Sequence, residues 1–160
     1  MCGIYGVVAT APLDVERALT RMGERLVHRG PDGDGTRTSG AVGLGCRRLA
    51  IIDVPGGAQP LANETGDVWV VCNGEIYNHA ALRRELEARG HRFRTRSDVE
   101  VVPHLYEEHG LDFVRALDGM FGLALWDARA ARLVLVRDRL GEKPLYFSAS
   151  RTGLVFASEP

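Results

Sequence analysis

No stretch of this chain is apolar for long enough to cross a membrane, and its N-terminus has no basic segment leading into an apolar one. Membrane partners and lipid attachment are therefore not expected. An excess of one charge is also missing: 20 Lys and Arg stand against 21 Asp and Glu, a formal net charge of -1, which removes the electrostatic case for a nucleic-acid partner. Cysteine is scarce. Cys2, Cys46 and Cys72 form no CxxC pair and no disulfide framework, which suits a reducing compartment, and a cytoplasmic location is expected. The five histidines, His28, His79, His91, His104 and His109, make no HxxxH or HxH pair, so no metal site is expected. Neither GxxxxGK[ST] nor GxGxxG occurs, so no phosphate cradle is expected in this chain.

What is present fits one domain, since 160 residues can bury a sizeable core without help from disulfides or metals. The patterning predicts a strand over Gly3 to Val8 and a helix from Val15 to about Val27 with Ala18, Leu19, Met22 and Leu26 on one face. The glycine-rich "HRGPDGDG" follows as irregular backbone. Strands are expected over Val42 to Asp53 and Val68 to Cys72. Asn78 then caps a helix stopped by Gly90, with Glu85 placed to pair with Arg89. A further helix runs through "SDVEVVPHLYEEHG", where Ser97 and Glu100 have capping-box spacing, Pro103 interrupts and Gly110 closes; "LDFVRALD" adds a short one. From Met120 four strands follow: "MFGLALWD", "RLVLVRD", "PLYFS" and "GLVFAS". Helices and strands segregate instead of alternating, which points to an α+β layered fold.

The chemistry-bearing residues start at position 2. If Met1 is trimmed, Cys2 carries a thiol and a free α-amine on one residue. With an α-amine pKa of about 7.7 to 8, about a tenth of that amine is free base at neutral pH, enough to take the thiol proton and later return one to a leaving amine. A retained methionine would turn that amine into an amide, which is no base. The alternative is an incidental, packed cysteine.

Three further stretches carry polar groups of the kinds such a nucleophile needs. In "VCNGEIYN" the Asn73 amide and the Gly74 N–H can face a developing oxyanion, or the dipeptide can be a tight turn. In "CRRLAIID" period-two alternation puts Cys46, Arg48, Ala50 and Ile52 on one face and Arg47, Leu49, Ile51 and Asp53 on the other. A guanidinium on so apolar a strand calls for a fixed anion, either a ligand carboxylate or a structural partner such as Asp53 or Glu75. Asp98, in the first turn of a capped helix, can bind an ammonium group or simply stabilise the helix end.

Taken together, "MCGI", "HRGPDGDG", "RRLAIID", "GAQPL", "NGEIYN", "SDVEV", "LDGMFGLALWD", "RDRLGEKPLY" and "FASE" make the whole chain resemble the glutamine-hydrolysing domain of asparagine synthetase. That domain is a class II glutamine amidotransferase with the N-terminal nucleophile hydrolase fold. The resemblance implies a four-layer αββα sandwich of two antiparallel sheets with flanking helices, and an enzyme that hydrolyses L-glutamine to L-glutamate and ammonia. In the roles it implies, Cys2 attacks the side-chain amide to form a γ-glutamyl thioester and Asn73 and Gly74 form the oxyanion hole. Arg48 grips the α-carboxylate and Asp98 the α-ammonium, while Glu75 and the backbone of Leu49, Ala50, Ile51 and Ile52 complete the pocket. The chain departs from the family's usual pattern at Val27, where a basic residue is common, and at Cys46, where histidine or an aromatic is common.

In the resembling enzymes "FASE" leads into a larger ATP-dependent synthetase domain, whereas this chain ends at Pro160. The expectation is one amidotransferase domain over 1–160, with the ammonia acceptor, ATP and Mg on a separate or missing synthetase domain or subunit, and with no cofactor in this chain. Nothing in the sequence bars a homo-oligomer. Two other readings stand beside this one: an amidase acting on another γ-glutamyl or acyl amide, and a non-catalytic glutamine-sensing or interaction module.

Overall fold

The computed structural model describes residues 1–160. Its layers follow from the alternation of the first strand, β1 (Gly3–Ala9). Tyr5 and Val7 turn to one face and pack on α1 (Val15–Arg25) through Val15 and Leu19, joined by Leu26 just beyond it. Ile4 turns to the other face. There it meets Val42, Leu44 and Cys46 of β3 (Val42–Arg48) and, from across the sandwich, Trp69 and Val71 of β5 (Val68–Ile76) with Ala124 and Trp126 of β6 (Gly119–Asp127). The opposite face of β5 and β6, with Val68, Val70, Cys72, Leu123 and Leu125, is covered by α2 (His79–Ala88) and α3 (Val101–His109) through Leu82, Leu86, Val102 and Leu105. Each fully buried aliphatic or aromatic side chain contributes roughly 1.5–3 kcal/mol. Three apolar layers of this kind hold helix, sheet, sheet and helices in that order, the four-layer αββα sandwich expected.

The remaining strands are β2 (Gly33–Ser39), β4 (Leu61–Ala62), β7 (Arg132–Arg137), β8 (Tyr146–Ser150) and β9 (Gly153–Ala157). One sheet runs β2-β3-β1-β9-β8 and the other β4-β5-β6-β7, and every pairing is antiparallel. No helix is long and apolar enough to cross a membrane.

Several local expectations need correction. The strand expected over Val42 to Asp53 stops at Arg48, because the guanidinium of Arg48 gathers the carbonyls of Ile52, Asp53 and Val54 and curls the following segment. The strand expected to end at Cys72 runs on to Ile76, with Asn73 opposite Gly122 and Gly74 opposite Phe121, so Asn73-Gly74 is no turn. The glycine-rich stretch after Asp32 contributes an unexpected edge strand, β2, whose pairing with β3 no apolar alternation announces. Glycine is needed there: a Cβ on Gly35 would run into the Gln59 carbonyl oxygen.

At the helix ends, Asn78 does not cap α2 with its side chain; its amide bridges the Ala116 carbonyl and the Asp118 N–H instead. Arg89 pairs with Glu108, not Glu85. The Ser97–Glu100 capping box does not close. Ser97 Oγ accepts from Val99 N–H, but Glu100 turns back to accept from Arg94 N–H, Thr95 N–H and the Thr95 hydroxyl. Pro103 is harmless because Asp98–Glu100 is a separate 3-10 turn and α3 begins only at Val101, which puts the proline in the first helical turn, where its missing N–H costs little.

Candidate active site

The inward-facing pattern of three strands continues past the apolar core and ends in polar groups. In β1 and β3 the partners are Ile4 with Cys46 and Gly3 with Arg47, and continuing that register by one residue sets Cys2 beside Arg48. Both have the inward parity of Ile4 and Cys46. In β5, Asn73 has the inward parity of Trp69 and Val71. The same alternation that fills the sandwich thus delivers a thiol, a guanidinium and an amide to one end of it.

Cys2, Arg48, Asn73, Gly74, Glu75 and Asp98 all line one cleft, together with Leu49, Ile51 and Ile52. Ala50 is the predicted pocket residue that does not line it, because its N–H is turned to Asp32 Oδ2 at 2.8 Å. Gly57, Gln59, Ser97, Val99, Met120 and Lys143 complete the wall and were not singled out from the sequence. They stand in "GGAQP", "SDVEV", "LDGMFG" and "GEKPLY", stretches whose motif character was visible but whose direction was not. Gln59 is fastened to β5 by a two-way amide bond with Cys72, accepting from its N–H at 2.6 Å and donating to its carbonyl at 3.1 Å. Met1 is present and lies at the same cleft.

The thiol of Cys2 is half-buried, 3.7 Å from the Leu49 carbonyl oxygen, and its pKa is lowered to about 6. The leading cause is the neighbouring Cys46 thiol, which favours the thiolate of Cys2, while the Cys46 S–H itself is directed at the Arg47 carbonyl oxygen at 3.6 Å. Burial opposes it, while the Leu49 backbone, the amino terminus and the positive charge of Arg48 assist it. Cys46, fully buried, is pushed up instead by its contact with Cys2 and by burial, and stays a protonated thiol.

Asn73 is 1% exposed, and its Nδ2 is buried with no hydrogen-bond acceptor. A buried donor left unpaired costs about 1–3 kcal/mol, so a group that fills the need only during reaction is a reason to keep it. Gly74 has to be glycine, because a Cβ would meet the Met120 carbonyl oxygen and come within 2.6 Å of Phe121 Cα. Asp98 is buried, with Oδ2 accepting from the Ile76 N–H at 2.8 Å while Oδ1 takes no bond from the protein. Arg48 forms no salt bridge with Asp53 or Glu75. Three of its five N–H donors hold the 52–54 carbonyls at 2.7–3.0 Å, which leaves one Nη1–H and the Nε–H for a ligand.

The 28–32 segment acts from behind. Arg29 donates Nε–H to the Cys2 carbonyl at 3.1 Å and pairs with Glu159 at 2.7 Å, while Asp32 holds the Ala50 amide. Gly30 lies so close to the Arg47 backbone that any Cβ would collide with it. One further cluster escaped the sequence reading: histidines that pair with nothing along the chain meet carboxylates in space, at Glu64, His91, His104 and Glu107.

A thiol at position 2, an orphaned amide donor, a guanidinium and a buried carboxylate thus meet at one end of an αββα sandwich, and the class of protein this chain matches is the glutamine amidotransferases. The sequence profile described as "Glutamine amidotransferase domain" matches residues 1–160, and the chain belongs to that family. It is 43% identical to asparagine synthetase [glutamine-hydrolyzing] 2 of Bacillus subtilis, over 99% of this chain and 22% of that protein. It is 48% identical to the asparagine synthetase [glutamine-hydrolyzing] of Asparagus officinalis, over 99% of this chain and 27% of that one. The chain thus spans about a quarter of the length of these relatives. Among solved structures, the glutamine phosphoribosylpyrophosphate amidotransferase of B. subtilis superposes with a TM-score of 0.81 at 21% identity, covering 98% of this chain and 42% of that one, and it shares the fold.

Proposed function

We propose that this chain hydrolyses the side-chain amide of L-glutamine to L-glutamate and ammonia and supplies the ammonia to an asparagine-synthetase-type amidation. The observation that carries the reading is the unpaired, buried Nδ2 of Asn73, which lines the same cleft as a Cys2 thiol whose pKa is lowered to about 6. Removal of Met1 leaves the α-amine on Cys2 itself. The thiolate adds to the amide carbonyl carbon, and the resulting oxyanion accepts from Asn73 Nδ2–H and the Gly74 N–H. Collapse breaks the C–N bond as the Cys2 α-ammonium passes a proton to the departing nitrogen, giving ammonia and a γ-glutamyl thioester. Water, deprotonated by the same amine, then cleaves the thioester to glutamate and restores the thiol.

Substrate recognition in this reading is zwitterionic. A free N–H of the Arg48 guanidinium and its positive charge bind the α-carboxylate, and Oδ1 of Asp98 binds the α-ammonium with Glu75 beside it. The ammonia acceptor is a synthetase domain or subunit, to which the reading also assigns ATP and Mg²⁺. A cytoplasmic location fits three free thiols.

The test is intact-mass spectrometry of the Met-trimmed protein with a glutamine-like diazoketone, alongside glutamate formation from glutamine. One adduct on Cys2 and glutamate release are expected. No glutamate from the trimmed protein, alone or with a synthetase partner, overturns the reading.

A further inference from the structure

On the helical side of the second sheet, four side chains from three separate segments converge: Glu64 after β4, His91 after α2, and His104 and Glu107 one turn apart on α3. One ligand atom from each lies within 4.8 Å of all the others. His104 Nδ1 is 3.2 Å from Glu64 Oε2 and 3.9 Å from Glu107 Oε2, and His91 Nδ1 is 3.3 Å from Glu64 Oε1 and 4.0 Å from Glu107 Oε2. These are contacts without hydrogen-bond alignment for the most buried members. His104 is 0% exposed, and both its ring nitrogens, like Glu107 Oε2, have no hydrogen-bond partner. A histidine buried in this way with its nitrogens unpaired needs an explanation that packing does not supply.

We propose that Glu64, His91, His104 and Glu107 bind a divalent transition-metal ion of the zinc type, at a structural site separate from the Cys2 cleft. Zinc bonds to imidazole nitrogen and carboxylate oxygen are about 2.0–2.2 Å, so the edges of a tetrahedral donor set are about 3.3–3.6 Å. With Glu64 Oε2 as its donor, the spacings of 3.2 Å from His104 Nδ1 to Glu64 Oε2, 3.9 Å from His104 Nδ1 to Glu107 Oε2 and 4.0 Å from His91 Nδ1 to Glu107 Oε2 lie close to those edges, and all four donors are within 4.8 Å of one another. Two imidazoles favour a transition metal over calcium or magnesium, which take oxygen donors. Two carboxylates balance the ion's charge.

The atoms facing away from the cluster are held. His91 Nε2 meets Glu108 Oε1 at 3.2 Å, and Arg89 fixes that carboxylate at 2.7 Å. Glu107 Oε1 accepts from Asn63 Nδ2 at 2.9 Å, and Glu64 Oε1 accepts from the Arg92 N–H at 2.6 Å. Outer partners of this kind orient metal ligands. Glu64, His91 and Glu107 also line a surface depression, which gives an ion a way in. The sequence spacing concealed the site because only His104 and Glu107 are near neighbours in the chain.

The test uses the untagged chain in a Cys2→Ala background, which removes a competing thiol, stripped with a chelator and titrated with Zn²⁺ and with Co²⁺. One Zn²⁺ per chain with a Kd at or below about 1 µM is expected, with a Tm rise of roughly 5 °C at a hundredfold excess over Kd. Bound Co²⁺ should show the intense visible absorption of a tetrahedral N/O site. His91→Ala and the isosteric Glu107→Gln should each weaken binding about a hundredfold, and Glu107→Gln keeps the test open where a buried histidine variant fails to fold. Absence of saturable Zn²⁺ binding below about 100 µM, or unchanged affinity in the two variants, overturns the proposal and leaves a plain histidine–carboxylate network. Neither outcome bears on glutamine hydrolysis.

Discussion

Arg29 donates its Nε–H to the backbone carbonyl of Cys2 at 3.1 Å while its Nη1 is anchored by Glu159 at 2.7 Å. A residue in the 28–32 segment, 27 positions down the chain, thereby sets where the N-terminal thiol stands. Arg29 does not reach the cleft itself and acts through Cys2. Arg29→Lys shortens the reach and removes the fork, so kcat for glutamate release should fall about tenfold to a hundredfold with KM little changed, as misplacing a reacting group by about 1 Å does. Steady-state kinetics checks this, and a fall in kcat/KM arising wholly from KM would contradict it.

Asn73→Ala separates catalysis from stability. Loss of one oxyanion donor should lower kcat about 10²–10³-fold. Because Nδ2 has no acceptor in the resting protein, its removal should leave unfolding free energy unchanged within roughly 1 kcal/mol or raise it slightly. Thermal denaturation beside the kinetics reads both. A marked loss of stability with activity intact would make Asn73 structural.

The Cys2 thiol, lowered to about 6, should be mostly thiolate at pH 7 and lose that form as pH falls through 6. Its alkylation by iodoacetamide should therefore be flat from pH 7 to 8 and drop about tenfold between pH 7 and 5. Cys46→Ala removes the neighbouring thiol that leads the shift, so the midpoint should move upward and the rate at pH 7 should fall about threefold or more. An unmoved midpoint would assign the shift to Arg48 and the amino terminus instead.

Asp98→Asn keeps an oxygen for the Ile76 N–H but loses the charge offered to an ammonium. A hydrogen bond to a charged group is worth about 1.5–3 kcal/mol, so KM for glutamine should rise about ten- to a hundredfold, with a smaller change in kcat. Substrates without an α-amine should be insensitive to the substitution. Comparing glutamine with its des-amino analogue measures the difference.

How far these features could be read beforehand varied with the kind of residue. Cys2 was legible from the thiol and α-amine a trimmed N-terminus would join on one residue, Asn73 from an amide beside a glycine, and Arg48 from the alternation that it shares with the buried Cys46. Alternation carried past Arg48 did not foresee that the following segment curls around that guanidinium and turns the Ala50 amide to Asp32. Gln59, Met120 and Lys143 stood in recognisable motifs, yet only the approach of β5, β6 and the 57–59 segment shows that they face the same cleft.

The amino-acid order by itself determined the α+β class, the thiol at position 2 and the polar groups that could accompany it, because side-chain alternation and residue chemistry are local properties. Tertiary structure alone decided how those groups stand to one another: that Cys2 and Arg48 share a cleft with Asn73, that Asn73 keeps an unpaired donor, and that Glu64, His91, His104 and Glu107 meet. Hydrogen-bond partners, burial and donor spacing are relations between segments far apart in the chain, and they come into existence only when the two sheets and their helices pack.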